Sequence, residues 1–217
     1  EEHGLDLAEE AGVYWMRFDA FHWDELEPES TDPPSYNWQA VDEISLLNTV
    51  EAGMQMIAAV KFAPGWAQKV PGSFCGPIKQ DALDEYAQFL SAMVQRYSQA
   101  PYHIQYWELG NEPDVDPMLV EPRSVLGCWG NENDPYYGGG YYAEMLKAAY
   151  PAIKAADPRA QVLIGGLLLD CDPTHPPQGK DCKPAKFLEG ILRNGGGDYF
   201  DIVSFHGYPL YDGSLQW

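Results

Sequence analysis

The segment from Tyr106 to Pro113 contains the residues whose types best suit acid–base chemistry. An apolar run ends there in Asn111, Glu112 and Pro113. Pro113 has no N–H to donate and ends a strand ladder, so Glu112 is expected at a strand end. A carboxylic acid that aromatic rings shield from water can donate a proton near neutral pH, and the Asn111 amide can bind a substrate hydroxyl. The alternative is an ordinary acidic turn.

Two other segments carry polar groups in strand-like sequence. Arg17 lies between apolar residues, where an unpaired charge is costly, so it is expected to have a buried carboxylate partner. The simpler alternative is an ion pair with Asp19. His206 and Tyr208 are two residues apart and therefore share one face of an extended segment, where they can orient a carboxylate or line a pocket. The alternative there is a structural histidine.

The elements that must position these residues form a repeating unit of helix, short turn and apolar strand. Such alternation predicts an α/β fold with a parallel sheet and right-handed crossovers. The predicted strands are 13–18, 54–60, 104–109, 161–168 and 200–205. The predicted helices are 4–11, 39–52, 82–98, 141–156 and 184–194, and together they make one domain, 1–217.

The connections between these elements are unequal in length. The long ones, at 61–80, 111–140 and 169–184, all follow strands, whereas the turns that lead into strands are short. Because the carboxyl ends of parallel strands lie on one side of a sheet, that side is the predicted active-site face. Five strands are fewer than the eight of a closed (β/α)8 barrel.

The charge balance restricts the class of partner. The chain has 33 acidic and 13 basic residues and a net charge of −20, so nucleic acid and anionic membrane surfaces are not expected partners. Seven Trp and 14 Tyr suit the flat faces of sugars as well as an ordinary core. The acidic loop 131–134 lacks a regular calcium-ligand spacing, so we expect a solvated loop, with no metal and no cofactor.

The cysteines indicate the compartment. There are four, all in loop-like sequence and without a CxxC pair, so they predict two disulfides and a secreted, extracellular protein; four free thiols are the alternative. Three pairings are possible, and we favour Cys171–Cys182 and Cys75–Cys128. The opening residues Glu1, Glu2 and His3 are not a signal peptide, so a secreted protein would be represented here in mature or trimmed form.

The order of these motifs resembles clan A of the glycoside hydrolases, which are retaining (β/α)8 enzymes. The matching features are Arg on the second barrel strand, Asn-Glu ending the fourth and His-x-Tyr ending the sixth. The opening AEEAGVYWMRFDAFHWDELEP followed by YNW is similar to family 39 and to family 5-like β-glycosidases. The resemblance covers nearly the whole chain and implies an incomplete (β/α)8 TIM barrel, about strands 2–6.

The resemblance also implies roles for individual residues. Glu112 would be the general acid/base, and Asn111 would hold the sugar 2-hydroxyl. Arg17, His206 and Tyr208 would surround the nucleophile. Many clan members have a histidine after the third strand, where this chain reads Lys61-Phe62-Ala63-Pro64-Gly65-Trp66; Trp66 is the predicted sugar platform, with loop packing as the alternative.

The clan's nucleophile, a Glu that ends the seventh strand, is expected beyond Trp217. Retaining hydrolysis needs two carboxyl groups about 5–5.5 Å apart, of which Glu112 supplies one; Asp19, Asp114 and Asp170 do not match the position of the clan's nucleophile. An inverting mechanism, with the carboxyl groups roughly 6.5–9.5 Å apart, is the alternative. We therefore expect part of a β-glycoside hydrolase whose barrel is completed by further sequence or by another chain or copy. The alternative is an inactive glycan-binding or structural protein on a degenerate barrel.

Overall fold

The computed structural model describes residues 2–169, 174–176, 178–179 and 182–207. Four parallel strands lie side by side in chain order: β1 (Trp15–His22), β2 (Gln55–Lys61), β3 (Tyr106–Leu109) and β4 (Gln161–Ile164). Residues 201–207, which we call the edge segment, run parallel beside β4 and form isolated bridges from Leu163 to Ile202 and from Leu167 to Phe205. The predicted parallel α/β organisation is confirmed.

Helices connect and cover these strands. In the described part of the chain they are α1 (Glu2–Glu10), α2 (Trp23–Leu26), α3 (Glu43–Glu51), α4 (Leu83–Tyr97), α5 (Gly139–Ala156) and α6 (Phe187–Arg193). The short α2 has no counterpart among the predicted helices. The predicted helix 39–52 is interrupted: a short 3-10 turn, Trp38–Ala40, comes first, and α3 begins after it. Asp42 is the N-cap of α3, because its side chain accepts a hydrogen bond from Ser45 N at 3.1 Å.

The strand boundaries differ from those predicted. β1 continues to His22, since its ladder with β2 resumes after a register shift between Asp19 and Phe21. β4 ends at Ile164 rather than at 168, and the backbone N–H of Leu168 donates to the Asp114 carboxylate at 3.0 Å. A side chain from another loop therefore takes the donor that a longer strand would have used.

The sheet buries one face against the helices. Val60, Trp107, Leu109 and Ile164 alternate along the strands on that face and are almost fully buried. Helix α4 contributes the predicted apolar stripe, all of it buried: Tyr86, Phe89, Leu90, Met93 and Val94. The opposite face of the sheet carries the polar residues described below. Over the described residues, the helices are too short or too polar to span a bilayer.

Aromatic rings fill the space between α4 and the segment after β1. The fully buried ring of Phe89 lies 5.8 Å from Trp23, 5.8 Å from Tyr36 and 6.3 Å from Tyr86, measured between ring centroids. Such pairs add to the free energy of burial because their edges and faces attract. This cluster fixes α4 behind the sheet and thereby supports the strand ends in front of it.

We expect Phe89→Ala to lower the free energy of unfolding by about 3–5 kcal/mol, the usual cost of removing a buried aromatic ring and leaving a cavity. Chemical denaturation measures the change. Ile44→Ala, at a side chain that is 72 % exposed on α3, is the control and should change the stability by less than about 1 kcal/mol. Equal losses in both variants would contradict the packing described here.

Candidate active site

The backbone after β3 presents Glu112 in an unusual conformation. Gly110 has φ 93° and Glu112 has φ 50°, both in the left-handed region. For a residue with a side chain, the left-handed conformation costs roughly 1–2 kcal/mol and persists only where the surrounding structure enforces it. Here Gly110 N donates to Val60 O at 2.8 Å and Glu112 N donates to Gly166 O at 3.0 Å. The turn is thus fixed by both neighbouring strands, and such strain is typical of functional positions.

An ion pair crosses the sheet beneath this turn. Arg17 Nε on β1 lies 2.5 Å from Glu108 Oε2 on β3, and Ser204 Oγ in the edge segment donates to Glu108 Oε1 at 2.9 Å. The Glu108 side chain is completely buried. The buried carboxylate partner expected for Arg17 is therefore Glu108, not Asp19, because Asp19 is engaged elsewhere.

The same guanidinium also holds the amide of Asn111. Arg17 Nη2 donates to Asn111 Oδ1 at 2.7 Å, and Asn111 Nδ2 donates to Val125 O at 2.8 Å. Since Arg can only donate and a carbonyl can only accept, these partners fix which end of the amide is oxygen and which is nitrogen. Among the described residues no acceptor takes the second N–H of the Asn111 amide, which is therefore available to a further group.

His206 in the edge segment contacts the carboxylate of Glu112. The distance from His206 Nδ1 to Glu112 Oε1 is 2.6 Å, and both side chains are largely buried. The imidazole packs tightly on Gly166, where an added Cβ would lie 2.2 Å from His206 Nε2. Gly166 therefore supports both residues, because its carbonyl accepts from Glu112 N and its missing side chain admits the ring.

Two buried groups join the strand ends below the site. Tyr142 OH on α5 donates to Leu109 O and accepts from Gly165 N, and burial raises the pKa of this phenol. Burial likewise raises the pKa of Asp114, against the hydrogen bonds from the Leu168 and Leu169 amides. These contacts fix β3 against β4 and so fix the turn that holds Glu112.

A second charged group lies where β1 and β2 end. Lys61 Nζ is 2.6 Å from Asp19 Oδ2, and His22 Nε2 is 3.3 Å from Asp19 Oδ1. Burial alone would raise the pKa of Asp19, but hydrogen bonds with His22 and Lys61 outweigh it and lower the pKa. The hydrogen bond with Asp19 raises the pKa of His22 despite partial burial.

The structure brings Arg17, Asn111, Glu112 and His206 into one contact network. Trp66 packs edge-on against Trp23, with ring centroids 5.2 Å apart, and its indole N–H donates to Glu27 O at 3.1 Å. The indole of Trp66, from the loop after β2, thus packs against the segment that follows β1. Tyr208 lies outside the described residues.

The cysteine prediction is confirmed for one bridge, Cys75–Cys128. Cys182 is also disulfide-bonded, and its predicted partner Cys171 lies outside the described residues. Within the described ranges, the acidic, His and Cys side chains form no group of three or more that could hold a metal ion.

Roles for Glu108, Ser204 and Lys61 were not predicted from the sequence. Glu108 could have been found, because it is an acid inside an apolar strand, just as Arg17 is a base inside one, and two such charges are expected to pair. The contact network as a whole holds the Glu112 carboxyl group and the Asn111 amide in fixed orientations beside the Arg17 guanidinium. This arrangement is suited to proton transfer onto a bound polyol.

Comparison with solved structures identifies the fold. Similar structures include a family 39 glycoside hydrolase from Bacteroides cellulosilyticus WH2 (TM-score 0.63, 20% identity), covering 93% of this chain and 34% of that one. The catalytic domain of the family 30 xylanase C from Talaromyces cellulolyticus has TM-score 0.65 and 17% identity, covering 91% and 45%. A monomeric β-xylosidase from Caulobacter crescentus CB15 has TM-score 0.62 and 18% identity, covering 95% and 38%.

These neighbours are clan A glycoside hydrolases, so the predicted resemblance and the predicted fold, part of a (β/α)8 barrel, are confirmed. The chain spans about a third to under half of their lengths. No protein-family profile matches the chain. A search of curated protein sequences also finds no match. At these identities the likeness establishes the fold, and function must be argued from the site.

We expect Gly166→Ala to displace the His206 ring and lengthen its contact with Glu112 beyond the hydrogen-bond range of about 3.2 Å, because the new methyl would overlap the imidazole. The free energy of unfolding should fall by about 1–3 kcal/mol, as for other overpacked sites. A crystal structure and a denaturation curve measure both effects. Gly4→Ala, with no atom within 4 Å of the new Cβ, is the control; a retained His206–Glu112 contact would contradict the packing.

We expect His22→Gln to destabilise the protein more at about pH 5.5 than at about pH 9, by at most about 0.5 kcal/mol because solvent screens this pair. The raised pKa of His22 makes its stabilising contribution complete below its ordinary pKa of 6.5 and lost as the pH rises through the raised value. Asp19, with its lowered pKa, stays ionised across this window. Unfolding free energies measured across pH test this, with His103→Gln as the matched control; a loss that grows with pH would contradict it.

Proposed function

We propose that this chain is part of the catalytic domain of a secreted enzyme that hydrolyses β-glycosidic bonds of oligo- or polysaccharides with retention of configuration. One observation carries the proposal: a strained strand-end turn holds Glu112 beside His206 and Asn111, on a fold shared with glycoside hydrolases. The disulfide Cys75–Cys128 supports an oxidising compartment.

Glu112 would be the general acid and then the general base. In the first step its carboxyl proton moves to the glycosidic oxygen, the bond from that oxygen to the anomeric carbon breaks, and a nucleophilic carboxylate attacks that carbon. In the second step the Glu112 carboxylate takes a proton from water, whose oxygen displaces the enzyme carboxylate and releases the sugar. His206 occupies Oε1, so the transferred proton would be carried on Oε2.

Asn111 would bind the sugar hydroxyl next to the reacting carbon. Its oxygen is held by Arg17, and its nitrogen has one N–H left after the bond to Val125 O. The buried Glu108 would keep Arg17 in place rather than react, because its side chain is fully covered and engaged by Arg17 and Ser204. Trp66 and Tyr208 remain predicted substrate contacts.

The attacking carboxylate would come from sequence outside these 217 residues, at the end of a seventh strand. That sequence, in the same polypeptide or in another chain or copy, would also cover the side of β1 that pairs with no other strand in the described part of the chain. At the start of β1, Tyr14 is 60 % and Trp15 45 % exposed. Pairing at this edge would satisfy the open backbone groups of β1. We propose this completion as the physical requirement for activity.

We expect Glu112→Gln in the complete protein to lower kcat on aryl β-glycosides by about 10²–10⁴-fold, since the amide cannot transfer a proton. The loss should be smaller for substrates whose leaving group needs no protonation, such as a dinitrophenyl glycoside. Rates for both substrate types and the anomer first released, followed by NMR, measure the effect.

Glu144→Gln removes a helix carboxylate that lies 2.7 Å from Lys147 Nζ, outside the contact network of the site; it is the control and should retain full activity. Equal activity of Glu112→Gln and wild type would contradict the assignment of the acid. Release of the inverted anomer would contradict the retaining mechanism. Oligosaccharide binding by calorimetry without any hydrolysis would favour the alternative, a glycan-binding protein.

A further inference from the structure

Part of the long loop after β3 lies directly against Asn111. Residues 121–128, which we call the strap, pass over the ends of β2 and β3. The carbonyl of Val125 accepts from Asn111 Nδ2 at 2.8 Å and from Lys61 Nζ at 3.4 Å, and Gly127 N donates to Asn111 O. The strap thus meets both the side chain and the backbone of Asn111.

The strap approaches too closely for any side chain at Gly127. A Cβ there would lie 2.7 Å from Asn111 O and 2.8 Å from the Cα of Pro113. Both distances are shorter than carbon contacts allow, and both neighbours are backbone atoms, which cannot move aside like the end of a flexible side chain. The fit between the strap and the turn before Glu112 is therefore tight.

Arg123 fixes the strap from its outer side. Its Nη1 donates to Asp24 Oδ2 at 2.8 Å, and Asp24 has a side chain only 6 % exposed. The guanidinium also lies over the ring of Phe74 at 4.5 Å and over that of Phe62 at 5.5 Å. An ion pair with a mostly buried acid together with stacking on two rings favours Arg over Lys at this position.

The two ends of the strap are attached to the loop after β2. Cys128 forms the disulfide with Cys75, and its N–H donates to Cys75 O at 3.1 Å. At the other end Pro122 O accepts from Phe74 N at 2.9 Å and from Cys75 N at 3.2 Å. Arg123 and the disulfide therefore fix opposite ends, with the Val125 carbonyl between them.

We propose that the strap determines the orientation of the Asn111 amide, and that Arg123 is the positioning residue that keeps the Val125 carbonyl in place. Arg17 holds the amide oxygen from below, and Val125 holds the amide nitrogen from above, so the remaining N–H points in one direction only. With the strap released, the amide can rotate away from its acceptor. This inference rests on the proposed function only for the identity of the acceptor, the sugar hydroxyl next to the reacting carbon.

The test compares Arg123→Ala with Arg193→Ala in the complete protein. Arg193 is the matched control, because it also pairs with an acid, Glu189 at 2.7 Å, and lies over a ring, that of Tyr136 at 5.1 Å, but on α6. Two readouts are used. Hydrogen exchange of the Gly127 and Cys128 amides and the NMR signals of the Asn111 side-chain amide report on the strap without any substrate. Hydrolysis of an aryl β-glycoside and of its 2-deoxy analogue reports on Asn111.

Arg123→Ala should accelerate exchange of both amides and shift the Asn111 signals. It should lower kcat/KM roughly fivefold to tenfold for the substrate with a 2-hydroxyl, but by less than about twofold for the 2-deoxy analogue. The size of the loss is that expected for one part-exposed ion pair together with its cation–π contacts. Arg123→Lys, which keeps the charge without the planar guanidinium, should give an intermediate loss. A general loss of folding would lower kcat/KM for both substrates by the same factor.

Equal losses on the two substrates, or a loosened strap with an unchanged Asn111 signal, would overturn the inference. If Arg123→Ala does not fold, Arg123→Lys decides between the same outcomes. If the wild-type protein hydrolyses no glycoside, the proposed function fails, and the inference is judged by the Asn111 signals alone: a change in Arg123→Ala but not in Arg193→Ala supports it, and no change overturns it.

Discussion

The site depends on the burial of one carboxylate, that of Glu108, in the middle of the sheet. An uncompensated buried charge costs several kcal/mol, so Glu108 requires Arg17. The two residues are on strands that are not neighbours, because β2 lies between β1 and β3. Arg17 is in register with Ile57 of β2 and Glu108 with Ala59 of β2, so the contact between the two side chains spans β2. The ion pair thereby fixes three strands relative to one another.

Arg17 links the buried Glu108 to the candidate site at the strand ends. Its guanidinium donates to Glu108 with one nitrogen and to Asn111 with another, so the buried acid determines where the amide lies. Asn111 and Glu112 are consecutive, and the backbone of Glu112 is fixed in the left-handed region by Gly166 O. Glu108, through Arg17, therefore fixes Asn111, and the Gly166 carbonyl fixes Glu112 beside it. Groups fixed in advance in this way are what acid–base catalysis would require.

Much of the fold could be predicted from the sequence, because the order of helices and strands depends on local patterns such as the apolar stripe of α4. The placement of Asn111 and Glu112 at a strand end followed from the same patterns. The partner of Arg17 could not be predicted, since Asp19 is near in sequence whereas Glu108 becomes near only through strand register. The early end of β4 also escaped prediction, because it depends on Asp114 from a distant loop.

The orientation of the candidate acid and the completion of the barrel are physically coupled. His206, which contacts Glu112, belongs to the edge segment, whose ladder with β4 is reduced to isolated bridges in the described part of the chain. Val203 and Phe205 in that segment are 42 % and 63 % exposed. Each square ångström of apolar surface covered there would stabilise the segment by about 25 cal/mol. Elements that cover this edge would therefore restrict His206, and through it the carboxyl group of Glu112, at the same time as they supply the remaining strands.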